Sequence, residues 1–94
     1  MEAKIQTLHP EPGKSIKLIS AEKYEIIKLV ILKLLGETPL THSQLMQAIH
    51  DEVHTYFSGN AHWYGETVKL DLEARGLIKR DKAKPPFYSV NRHV

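Results

Sequence analysis

Apolar residues recur at helical spacing in three separate stretches of the chain and at strand spacing near both ends. The first helical stretch opens at Ser20, whose hydroxyl suits the N-cap position, with Glu22 placed at the positive end of the helix. The helix is predicted over 21–35, and Gly36 is expected to stop it. At about 100° per residue, Tyr24, Ile27, Val30, Ile31, Leu34 and Leu35 share one arc. Ile26, Leu29 and Leu32 fall outside that arc, so this helix carries nearly enough apolar surface to be covered on two sides.

The second helix is announced by Thr41-His42-Ser43-Gln44, which fits a capping box. Leu45, Met46, Ile49 and Val53 then follow at helical spacing to about His54. Tyr56-Phe57-Ser58-Gly59-Asn60 reads as a turn whose aromatics pack beneath the helix pair, longer than the link of a tight helix-turn-helix. A third helix is predicted over 61–75, with Ala61, Tyr64, Gly65, Val68 and Leu72 toward the core and Trp63, Thr67, Leu70 and Ala74 on the opposite side. Gly76 ends it.

Beyond Gly76 the period shortens. Residues 77–81 and 87–91 read as two strands joined by Lys82-Ala83-Lys84-Pro85-Pro86, whose prolines suit a tip because they cannot donate to a ladder. Pro39-Leu40-Thr41 is expected to pair with this hairpin, and Arg92-His93-Val94 to fray. At the other end, residues 4–8 and 15–19 have strand composition around His9-Pro10-Glu11-Pro12-Gly13, and Ile16 and Leu18 alternate as one apolar face. This predicts an N-terminal β-hairpin, the alternative being an arm without fixed structure. The expected core is Ile27, Val30, Leu34, Leu45, Ile49, Val68, Leu72, Leu77 and Ile78.

Helix, Gly76, two apolar residues, basic strand, turn and aromatic strand, with the segment LEARGLIKR at residues 72–80, resemble the third helix and wing of a winged helix-turn-helix domain. Most of the chain, from HPEPGKSIKLISAEKYE to HWYGETVKLDLEARGLIKRDKAKPPFYSV, is similar to a small bacterial family of stand-alone winged-helix proteins whose function is unassigned. The resemblance implies an α+β fold: three helices plus a β-hairpin wing in residues 21–94, with residues 1–20 an added β-hairpin or arm. It implies a bacterial, cytoplasmic setting and offers two roles, DNA-binding transcriptional regulation or protein association. It transfers no catalytic residue.

Ninety-four residues suffice for one domain with a single core. Cysteine is absent, which excludes disulfides and thiolate metal sites, and the longest apolar stretch is too short to span a bilayer. Charge is unevenly spread: residues 1–74 hold seven Lys/Arg against ten Asp/Glu, and residues 75–94 hold six against one. The basic end points to an anionic partner, and DNA is the first candidate. Its contacts would come from Lys79, Arg80, Lys82 and Lys84 in the wing, neutralising phosphates, with Asn60, Lys69 and Arg75 from the third helix. That helix also carries Glu66, Asp71 and Glu73, which repel phosphate, so the contacts are expected to be mostly phosphate-directed.

Trp63 with Leu70 on the third helix, and Ile26, Leu29 and Leu32 on the first, form apolar ridges, only one of which the N-terminal hairpin can cover. They point to an interface, with a homodimer the expected assembly. His50 and His54 stand at metal-ligand spacing in the outline of a zincin motif, with Asp51 in place of its glutamate. His62 is the candidate for the third ligand that zinc needs, but nothing in the sequence brings it to the pair, and histidine is favourable at a helix C-terminus anyway, so no metal and no other cofactor is expected. No nucleophile elbow and no phosphate-binding glycine loop is present, and an enzyme is not expected.

Overall fold

The computed structural model describes residues 3–11, 13–14 and 17–91. Among them the chain forms three helices and two small antiparallel sheets, in the order β1 (Lys4–Gln6), β2 (Leu18–Ser20), α1 (Ala21–Glu37), β3 (Leu40–Thr41), α2 (His42–Val53), α3 (Ala61–Ala74), β4 (Ile78–Arg80) and β5 (Phe87–Val90). β1 pairs with β2, and the second sheet runs β3-β5-β4. No helix among the described residues is long and apolar enough to cross a membrane.

The helix starts follow local chemistry. Ser20 accepts from the Lys23 amide and Asn60 from the Trp63 amide, while Thr41 and Gln44 complete a reciprocal capping box. α1 does not stop at Gly36, as its glycine suggested. It runs one residue further, because Thr38 precedes Pro39 and is pushed to extended backbone, with φ −162° and ψ 147°. α3 ends as expected. Gly76 adopts φ 77°, its amide bonds the Glu73 carbonyl, and the Leu77 amide reaches back to the Leu72 carbonyl at 2.9 Å, a Schellman closure.

Ile27, Val30, Leu45, Ile49, Val68, Leu72 and Ile78 are buried as expected, joined by Tyr24, Ile31, Leu35, Met46 and Val53 from the same arcs. Leu34 and Leu77 are half-buried, packed at the margin of this core. Gly65 marks the closest approach of α3 to α2: a Cβ there would lie 3.2 Å from Ile49 Cδ1 and 3.3 Å from Met46 Sδ. In the turn, Phe57 packs against the core and meets the Tyr64 ring edge-on, whereas Tyr56 is exposed.

The N-terminal strands pair Lys4 with Ser20, Ile5 with Ile19 and Gln6 with Leu18. The expected apolar face of β2 is reversed: Ile19 is 4% exposed and Leu18 67%. Pairing opposite Ile5 turns Ile19 toward α1, and a period of two then forces Leu18 outward. Ile16, the other residue of that face, lies outside the described residues, as do Pro12 of the turn, Ser15, and the tail at 92–94. Thr7 closes the hairpin from inside; it is buried, and its hydroxyl donates to the Lys17 carbonyl and accepts from the Lys17 amide.

Leu72 has no exposed surface. Leu72→Ala is expected to cost about 2–5 kcal/mol, read as a lower denaturation midpoint with unchanged dependence on denaturant.

Candidate nucleic-acid interface

The C-terminal hairpin carries a cluster of exposed positive charge. β5 lies in the middle of its sheet, with Leu40 and Thr41 opposite Tyr88 and Phe87 on one side, and Ile78, Lys79 and Arg80 opposite Val90, Ser89 and Tyr88 on the other. Asp81 shapes the tip. Its Oδ1 accepts from the Phe87 and Ala83 amides, both at 3.0 Å, and these bonds hold its carboxyl below the usual carboxylate range. The peptide between Lys84 and Pro85 is cis.

Lys79, Lys82 and Lys84 are exposed, and among the described residues none of the three makes an ion pair. Arg80 is exposed as well, with Nε 3.4 Å from Glu73 Oε2. The residues of α3 and its borders are placed differently. Asn60 spends its side-chain oxygen on the Trp63 amide as the N-cap. Lys69 is only 4% exposed; its Nζ lies 2.9 Å from His42 Nδ1 and 4.2 Å from the centre of the Tyr88 ring. Arg75 is turned onto Asp71, donating from Nε to both carboxylate oxygens at 2.9 Å, and Nη2 reaches the Gln6 carbonyl at 3.3 Å.

Asp71 is the unexpected member of this helix. It has no exposed surface, and besides Arg75 it accepts from the Leu8 amide at 2.8 Å and from the Tyr24 hydroxyl. Burial, and then the bond to Asp71, push the Tyr24 phenol well above its ordinary value, while the same carboxylate raises Arg75. The i,i+4 spacing of Asp71 and Arg75 was legible in the sequence, but its depth and its link to Tyr24 and Leu8 were not.

Of the apolar ridges, Leu29 is 63% and Trp63 40% exposed, whereas Ile26, Leu32 and Leu70 are half-buried. The N-terminal hairpin lies against α1 and is tied to α3 through Asp71 and Arg75.

A second polar cluster lies between the start of α2 and the first turns of α3. His42, Ser43, Met46, Gln47, His50 and His62 line a concavity of about 390 Å³. Burial, and then the Lys69 charge, lower the pKa of His42, which keeps its imidazole neutral at neutral pH. The sequence pair His50 and His54 stacks ring on ring, 5.3 Å between centroids, and His54 Nδ1 faces the carbonyls of His50 and Asp51. Among the described residues the three metal-ligand types that converge are instead His42, His62 and Glu66. The i,i+4 spacing of His62 and Glu66 is a signal present in the sequence, but nothing local in it brings His42 to the pair.

A model of a family of unknown function, DUF6958, matches residues 4–88, from the first strand of the N-terminal hairpin to the middle of β5. The chain belongs to this family. No curated protein and no solved structure matches the DUF6958 chain.

The Tyr24–Asp71 bond makes the DUF6958 fold sensitive to alkali in a definite direction. A phenol held protonated in the native state contributes stability that is complete below its unfolded value, near the ordinary 10.0. That contribution shrinks as pH rises further and is lost once the native phenol ionises. Melting temperatures measured from neutral to strongly alkaline pH should fall more steeply for the wild type than for Tyr24→Phe.

Proposed function

We propose that the DUF6958 chain is a winged helix-turn-helix domain that binds duplex DNA through its C-terminal hairpin, by contacts to phosphate and with little sequence preference. From α1 onward the order helix, strand, helix, helix, strand, strand, with the short strand β3 paired to β5, supports this reading. One observation carries the DNA reading: Lys79, Lys82 and Lys84 stand exposed on one hairpin, unpaired among the described residues. Phosphate contacts need mobile cations and no base-edge geometry. α3 supplies little for reading bases, since Lys69 is buried against His42 and Arg75 is paired with Asp71, while Glu66 is exposed and Glu73 reaches Arg80. The role is binding, not catalysis.

A low-salt gel shift with mixed-sequence duplex tests the reading. Binding should weaken steeply with salt, and replacing the three lysines by glutamine should flatten the salt slope by about 0.9 for each phosphate that is no longer neutralised. No shift at about 100 micromolar protein, the weak end of ordinary non-specific binding, would reject it.

A second reading, self-association, is favoured by Trp63. This ring stands edge-on to Tyr64 at 5.0 Å, which in turn meets Phe57, so an aromatic ladder ends at the surface. As an interface anchor, Trp63 would contribute about 2 kcal/mol or more, and Trp63→Ala should weaken a dimer by roughly thirtyfold or beyond. Sedimentation of the two proteins decides this; a wild type that stays monomeric at high concentration defeats the second reading and leaves the first intact.

A further inference from the structure

We propose that His42, His62 and Glu66 form a site for one divalent transition-metal ion of zinc-like preference, on the face where the start of α2 meets the first turns of α3. Each residue offers one ligand atom, and these atoms all lie within 4.8 Å of one another. Around zinc, nitrogen and oxygen ligands sit about 2.0–2.2 Å from the metal, so tetrahedral neighbours stand roughly 3.4 Å apart. Closing that gap needs side-chain movement only. His62 and Glu66 are free to make it, being exposed and one helical turn apart, with Nε2 and Oε2 already at 3.8 Å. Two imidazoles and one carboxylate are a donor set that zinc uses in open sites, whereas magnesium and calcium favour oxygen alone.

His42 is the least mobile of the three ligands. It is half-buried, and in the metal-free protein its Nδ1 accepts from the Lys69 ammonium at 2.9 Å, so the neutral ring carries its proton on Nε2 and must give up the Lys69 bond and move that proton to Nδ1 before Nε2 can take an ion. The concavity of about 390 Å³ that His42 and His62 help to line leaves room for water or an external ligand in the fourth position.

Lys69 then sets the strength of the site. A ligating histidine normally donates its second N–H to an acceptor, and an ammonium facing Nδ1 cannot accept. Its charge also opposes the cation. The site is therefore weaker than a zinc centre whose histidine is backed by a carboxylate, and suits reversible occupancy.

Zinc alone, with cobalt as a coloured probe, is titrated into the metal-free full-length chain without DNA, which keeps the result independent of the DNA reading. The wild type should take up one equivalent and develop the visible absorption of four-coordinate cobalt. His62→Asn and Glu66→Gln alter exposed side chains, should fold normally by circular dichroism, and should each lower affinity by about tenfold or more. Lys69→Met should raise affinity by about tenfold, and His54→Asn should leave it unchanged. Uptake that is indifferent to His62→Asn and Glu66→Gln would overturn the site. So would uptake abolished by His54→Asn, which would place the ion on the His50–His54 pair. Unchanged affinity in Lys69→Met would remove His42 from the ligand set and overturn the assignment.

Discussion

A carboxylate shut away from water, that of Asp71, joins three parts of the molecule that are far apart in sequence. It accepts from the Leu8 amide beyond β1, from the Tyr24 hydroxyl in α1 and from Arg75 at the end of α3. A buried charge is tolerable only when it is paired and its lone pairs are filled, and here four donated bonds fill them. No buried side-chain polar atom among the described residues lacks a partner. Removing one member of a fully buried pair costs about 3–5 kcal/mol; the Arg75 side chain is 37% exposed, which places this pair toward the lower end. Because Leu8 and Gln6 both bond into the cluster, the N-terminal hairpin is fastened to the body by charge-assisted bonds as well as by Ile5 and Ile19.

The same inward turn of polar groups decides which surface is open to a ligand. Lys69, Asp71 and Arg75 lie within two turns of α3, and all three are engaged with neighbouring elements. Lys69 reaches from α3 to His42 at the start of α2 and lies over Tyr88 in β5, so one ammonium links both helices to the sheet through a hydrogen bond and a cation–π contact. What remains on the outside of α3 is Trp63, His62 and Glu66, with little positive charge. Lys79, Lys82 and Lys84 on the C-terminal hairpin remain exposed without an ion pair among the described residues, and Lys79 and Arg80 on the edge strand β4 also discourage pairing with another chain.

Helix limits were legible in the sequence wherever they depend on residues a few positions apart. The Ser20 cap, the Thr41–Gln44 box and the Gly76 closure each involve groups within six residues, so local chemistry decides them. Even the one end that differs from expectation, at Gly36, is set by a neighbour, Pro39. The apolar arcs of α1, α2 and α3 were likewise readable, because a period of 3.6 assigns a face without reference to any partner.

Which side chains the faces meet is another matter, and there only the tertiary structure could decide. Periodicity places Lys69 and Asp71 beside the core, but charged residues at such margins ordinarily reach into solvent. Whether they turn inward depends on a hydroxyl 47 residues away for Asp71 and an imidazole 27 residues away for Lys69. The orientation of β2 departs from expectation for the same reason: Leu18 and Ile19 are equally apolar, and only pairing with Ile5 over α1 selects the inward one. The sequence by itself determined the helices, their caps and their apolar faces, since those rest on contacts within a turn or two. The tertiary structure determined which charges remain free to meet a partner, since a charge is released or sequestered by groups that only folding brings within hydrogen-bond distance.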